Sequence, residues 1–400
     1  MNGLHRICPR ILAVAVCLLT GAEGAIAGLV TIGNPGNDPD TRYASPGYGS
    51  VAYDYRIGEY EVTNAEYIAF LNSVAVVGDA NFLYNASMAG TYGGGIQRTG
   101  SGTSGDPWFY LAKGGDTAWL NRPVNCVSWY DTLRYANWLH NGQPTTGGQV
   151  ATTTEDGAYD MSQGASVVRK TGALFFLPTE DEWYKAAYHD KSAGLAASYF
   201  DFPTGTDTVP SNALINPDPG NNANFYDSGY TLGSPYYTTL VGEFENSLSP
   251  YGTFDQGGNL WEWNELDYFG DGSFRGVRGG CWGSNSGSLH ASAWVSYDPA
   301  GESNSLGFRV ASPYTLEPVP EPSTLLMLVM GLGGGVALEA EKAGHVTLYP
   351  SSLPLYPLRP LCGRAVEICE VPPLCGGLQE FPSLARGASQ TSPNSRASPA

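Results

Sequence analysis

Asp255-Gln256-Gly257-Gly258-Asn259-Leu260-Trp261-Glu262-Trp263 is the stretch whose reading decides the fold. Consecutive glycines allow positive φ or a close approach of backbone to a neighbour. Asp255 and Glu262 supply hard carboxylate oxygens, and carbonyls exposed in such a turn add more, which is the donor set that holds calcium. The other reading is a tight turn running into an aromatic core strand. These nine residues alone leave both open.

Working outward, the chain of 400 residues carries 52 Gly, 28 Pro and 25 Tyr, with only 14% charged residues. That composition predicts a globular, loop-rich protein with few long charged helices. A net charge of -18 makes a nucleic-acid partner unfavourable, because a phosphate backbone is bound mainly through cationic side chains.

Three cap signatures predict three short helices. Thr63 with Glu66, Ser128 with Asp131, and Thr179 with Glu182 each place an acid three residues after a hydroxyl. The helices are expected over Ala65–Ala75, from Ser128 to about His140, and from Thr179 to about Tyr188. Each follows an extended segment, including the apolar run Arg122–Trp129, read as strand-like. Arg275–Trp282 and Leu306–Ala311 read as short core strands bounded by glycine.

The two ends read differently from the body. Residues 1–27 have the form of a secretory signal peptide, with Arg6 and Arg10, the apolar Ile11–Leu19, and Ala25-Ile26-Ala27 at the cleavage point. From Val319-Pro320-Glu321-Pro322-Ser323-Thr324 the composition shifts again. The apolar run Leu325–Leu338 would span about 21 Å as a helix, short of a membrane core. Residues 339–400 show no periodicity and read as a disordered or aberrant tail.

Six stretches together resemble the formylglycine-generating enzyme family, also called the sulfatase-modifying-factor domain. They are E-V-T-N (Glu61–Asn64), P-V-x-x-V-S-W (Pro123–Trp129), L-P-T-E-x-E-W (Leu177–Trp183), G-N-x-W-E-W (Gly258–Trp263), R-G-G-x-W (Arg278–Trp282) and G-F-R (Gly307–Arg309). The resemblance implies a single loop-rich α+β domain related to the C-type lectin fold, here 28–316. It also implies structural calcium held by the Asp255 and Glu262 side chains and the Gly258 and Leu260 carbonyls, with a second site near Asn224. The V-P-E-P-S-T segment and the run to 338 resemble a PEP-CTERM sorting signal. That implies an exported bacterial protein, a sorting protease as partner and transient membrane association, although Glu339-Ala340-Glu341-Lys342 stands where the pattern has arginines.

Family members that oxidise a sulfatase cysteine use two thiols suited to Cu(I). Here those positions hold Ser284 and Leu289, and Cys281 stands where the pattern has serine. Formylglycine chemistry is therefore not expected, and no catalytic residue is assigned. Cys126 and Cys281 are the only cysteines in the body of the chain, read as buried thiols, a disulfide or a new metal pair. His140, His189 and His290 are expected at the surface or at helix ends, and no Ser-His-Asp set can be assembled from motifs. Glu180, Asp181 and Glu182 read as helix N-terminal charge. Two functions remain: an extracellular or envelope module binding a glycan or peptide, or an oxidoreductase with Cys281 in an altered thiol site.

Overall fold

The computed structural model describes residues 28–314. The leader at 1–27, the sorting motif and apolar run at 317–338 and the tail at 339–400 lie outside the described residues.

All three expected helices form. They are α1 (Asn64–Val74), α2 (Trp129–His140) and α3 (Glu180–Tyr188), and each opens on a complete capping box. Thr63, Ser128 and Thr179 accept from the backbone N–H three residues on, while Glu66, Asp131 and Glu182 reach back to the cap's own N–H. Donors that have no partner inside the first turn are thereby satisfied. Phe70 of α1 meets Tyr135 and Trp138 of α2 at ring-centroid distances of 5.3 and 5.4 Å, which seats the two helices together.

Short strands supply the rest. The first sheet joins β1 (Leu29–Ile32), β2 (Tyr55–Gly58) and β9 (Ala311–Pro313), so the two ends of the described chain flank β2. The hairpin β3 (Ile96–Thr99) and β4 (Phe109–Ala112) stands apart as a two-stranded sheet. In the third sheet the order is β7 (Val295–Tyr297), β6 (Arg275–Arg278), β5 (Trp261–Asp267), β8 (Leu306–Gly307). β5 runs antiparallel to β6 and parallel to β8, so the W-E-W segment is a central strand.

Two expected strands are corrected. Arg122–Trp129 forms only one isolated bridge, Thr63 to Pro123, because Pro123 lacks an N–H and Cys126 takes a left-handed φ of 57°. Leu306–Ala311 splits between β8 and β9. Arg309 falls where the chain leaves one sheet for the other.

The opening turn is conformationally demanding. Asp255, Gly258 and Asn259 have φ of 59°, 87° and 58°. A Cβ at Gly258 would lie 2.2 Å from the Asn224 carbonyl oxygen. Gly258→Ala is therefore expected to cost more than about 2 kcal/mol, the left-handed penalty plus a backbone clash. Chemical denaturation measures it, and a loss under half that value would mean the turn relaxes freely.

Candidate functional site

Signature residues far apart in sequence answer one another's charges in the core. Glu262 points from β5 into a wholly buried pair with Arg309. Arg309 Nε donates to Glu262 Oε2 at 2.6 Å and Nη2 to Oε1 at 2.7 Å, while Trp183 Nε1 donates to Oε2 at 2.7 Å. The remaining guanidinium donors reach the carbonyls of Gly58, Glu59 and Phe254. Burial works against the Arg309 charge, yet Glu262 outweighs it and holds the guanidinium above its ordinary range.

Two similar braces tie α3 to the sheets. Arg278 of β6 is buried, donates through Nε to Glu180 Oε1 at 2.6 Å, and lies over the rings of Tyr48 and Tyr184 at 4.6 and 5.0 Å. Arg169 spans Glu182 and Glu265 at 2.8 and 2.7 Å. Burial raises the Glu182 carboxyl, but hydrogen bonds and attraction from Arg169 win and leave it below its usual range. Glu180, Asp181 and Glu182 do occupy the first turn of α3, and Glu180 and Glu182 also serve as arginine partners, while Asp181 accepts from the Gly49 N–H.

The expected calcium ligands converge on this region. Asn224 pairs with Gly258 in a parallel bridge, and its carbonyl accepts from the Asn259 N–H at 2.8 Å. As placed, the two carboxylates among them already have other partners. Both Glu262 oxygens already accept from a guanidinium, so a cation there would face like charge. Asp255 accepts from the Gly242 N–H, and burial pushes its carboxyl up to about 6, which favours a proton. Asn224 Oδ1 has no hydrogen-bond partner, which is a bare oxygen, but a neutral one. Among the described residues, no three His, Cys, Asp or Glu gather to hold a metal.

Glu61, from E-V-T-N, completes the picture. Asn259 Nδ2 donates to its Oε2 at 2.9 Å, while Oε1 is buried without a hydrogen bond. Burial, with Asp255 and Glu262 adding repulsion, holds the Glu61 carboxyl well above its ordinary range. The acids gathered in this core share one arginine, Arg309.

The thiol positions are equally clear. Cys126 and Cys281 are both buried, and no disulfide joins them. Burial pushes the Cys126 thiol up to about 12, away from the thiolate a soft metal needs. Ser284 Oγ accepts from the Cys281 N–H at 3.1 Å and lies 3.3 Å from its sulfur. Leu289 is fully buried with Phe202, Ala223 and Phe225.

The histidines lie where expected, at helix ends or partly exposed. His189 is buried, its ring bonded to the Tyr251 hydroxyl at 2.9 Å, and burial lowers its pKa. His140 ends α2 and accepts from the Leu174 N–H, with burial and then Lys170 lowering its pKa. Neither is a charged cap near neutral pH. His290 lies beside Leu289, partly exposed.

A family profile described as Sulfatase-modifying factor enzyme 1-like domain matches residues 26–313. The chain belongs to this family. Its fold is accordingly a loop-rich α+β domain related to the C-type lectin fold. Similar solved structures include one titled Crystal Structure of CarF, at 20% identity and a TM-score of 0.42, covering 72% of this chain and 98% of that one. PvdO from Pseudomonas aeruginosa is 20% identical at a TM-score of 0.37, covering 72% of this chain and 92% of PvdO. A curated relative, Serine/threonine-protein kinase pkn1 of Chlamydia pneumoniae, is 24% identical over 214 residues. The match takes in 49% of this chain but only 25% of that relative.

Arg278 and Arg309 were missed as partners, although R-G-G and G-F-R each carry an arginine that pairs with a signature glutamate, Glu180 and Glu262 respectively.

Proposed function

We propose that this family member keeps the scaffold, has lost formylglycine-generating chemistry and acts as an exported binding module, extracellular or in the cell envelope. One observation supports the loss above others: the two thiol positions hold a serine and a fully buried leucine. Neither a hydroxyl nor an isobutyl group replaces a thiolate at copper. Its core brace is read as the arginine pairs rather than calcium.

Glycan or peptide is the ligand class proposed. Loops dense in Tyr, Asn, Ser and Gly suit adaptable recognition, and Tyr268 and Phe269 stand 40% and 61% exposed beyond β5. Tyr268 packs on Trp294 with ring centroids 4.8 Å apart at a 31° tilt, giving an aromatic surface. The leader supports export, and the sorting-like segment supports a sorting protease and transient membrane association as further partners.

An array of glycans and peptides probed with the secreted protein tests the reading. The expected result is a defined ligand whose affinity falls roughly tenfold in Phe269→Ala. No ligand, together with copper-dependent oxygen uptake abolished by Cys281→Ser, would favour the altered oxidoreductase instead.

A further inference from the structure

Motifs gave no serine–histidine–aspartate set, but the fold assembles one on the loop after β6. Ser292 Oγ lies 2.9 Å from His290 Nδ1, and His290 Nε2 lies 3.7 Å from Asp201 Oδ2. The other Asp201 oxygen accepts from Arg42 Nη1 and the Tyr43 hydroxyl, both at 2.8 Å. Tyr43 and Phe202 each meet the imidazole edge-on with ring centroids 5.4 Å away. The Ala291 N–H donates to the Asp201 carbonyl at 2.8 Å, and Arg278 Nη1 donates to the carbonyls of Ala291 and Ala293. The loop is therefore tied both to the buried core and to the segment that carries Asp201.

Backbone chemistry sets the tautomer. The Ser292 N–H also points at Nδ1, at 3.1 Å. An N–H can only donate, so Nδ1 is the unprotonated nitrogen of the neutral ring and the proton sits on Nε2, facing Asp201. The Ser292 hydroxyl must then donate to Nδ1. Nucleophile, base and orienting carboxylate stand in the order that activated serines require, with the base–carboxylate distance looser than a formed hydrogen bond.

We propose that Ser292 is a nucleophile activated by His290 and oriented through Asp201, and that small activated carboxylic esters acylate it. Oγ bonds to the ester carbonyl carbon as its proton passes to Nδ1. The tetrahedral adduct then breaks the bond to the alkoxy group, which leaves as the alcohol with that proton. Water repeats the sequence, giving its proton to Nδ1, releasing the acid and restoring the Ser292 hydroxyl. Protonation of Nδ1 frees the Ser292 N–H from its acceptor, which makes it a nearby donor for the developing oxyanion. This chemistry does not depend on the ligand-binding reading.

Treating the full chain with an alkyl fluorophosphonate tests it, since Oγ would form a P–O bond while P–F breaks and hydrogen fluoride leaves. Peptide mapping is expected to find Ser292 modified at least about 100-fold faster than any other serine. The rate should fall at least about 100-fold in His290→Ala and about tenfold or more in Asp201→Asn, with melting temperatures within a few degrees of the parent. 4-Nitrophenyl acetate should likewise give a burst of one equivalent of nitrophenol that Ser292→Ala removes. Should His290→Ala fail to fold, His290→Gln gives the same comparison. Labelling spread over many serines, no labelling of Ser292, or an unchanged rate in the folded histidine variant would overturn the assignment.

Discussion

Arg309→Met is expected to destabilise the domain by about 3–5 kcal/mol, to the same extent with and without a calcium chelator. The mechanism is an orphaned charge. Glu262 is wholly buried, and the substitution leaves its carboxylate with only the Trp183 indole as a donor. Glu262→Gln should cost a similar amount from the other side, because it strands the Arg309 guanidinium among carbonyls that cannot neutralise it. The double change to apolar residues of similar volume should restore much of the loss, since a buried pair is weakly stabilising as a whole even where breaking it is expensive. Urea denaturation with and without chelator measures all three. A parent protein that loses several kcal/mol on chelation would show that a bound cation, rather than Arg309, carries this turn.

The second large effect is on pH dependence. Asp131 is 2% exposed, and burial pushes its carboxyl up to about 7, against the pull of hydrogen bonds from Ser128. Its folded pKa lies above the ordinary carboxyl value, so the contribution to stability is fully present below about 4 and is lost as pH rises through 7. The difference is on the order of 4 kcal/mol by pH 8. Asp255, pushed up to about 6, adds a smaller effect of the same sign. Asp131→Asn keeps an oxygen for the Ser128 N–H without the charge. It is expected to raise the melting temperature at pH 8 and to flatten its decline between pH 5 and 8. A parent whose melting temperature climbs across that range, or a variant that melts lower at pH 8, would contradict the burial argument.

The helices were legible in the sequence because their signals are local. Thr63/Glu66, Ser128/Asp131 and Thr179/Glu182 carry the hydrogen bonds of a helix start within four residues, and all three boxes form. The fold class was legible for a different reason, the fixed order of six signatures. What stayed hidden was nonlocal. Glu262 and Arg309 are 47 residues apart, and Glu180 and Arg278 are 98 apart, so no spacing rule joins them. A carboxylate beside a glycine turn reads as a metal ligand, and its arginine partner, Arg309, comes from the segment between β8 and β9. The left-handed Cys126 likewise breaks a run whose apolar content reads as a strand. Ser292 and His290 are two residues apart, but their orienting partner comes from position 201, on another loop.

On the proposed reading, the same separation explains how the scaffold persists without the chemistry. Residues that fix the fold form buried pairs between signatures, and these are intact. The residues that would supply copper chemistry lie on one loop after β6, where a hydroxyl and a packed isobutyl group stand instead. Leu289 fills a small apolar cluster with Phe202 and Phe225, so that position now serves packing.

Incubation of the protein with Cu(I), oxygen and a cysteine-containing sulfatase peptide tests this account most directly, with the peptide followed by mass spectrometry. The account predicts an unchanged cysteine and oxygen uptake no faster than the protein-free control. Turnover of that cysteine to an aldehyde, sustained by the protein over many equivalents of peptide, would contradict it.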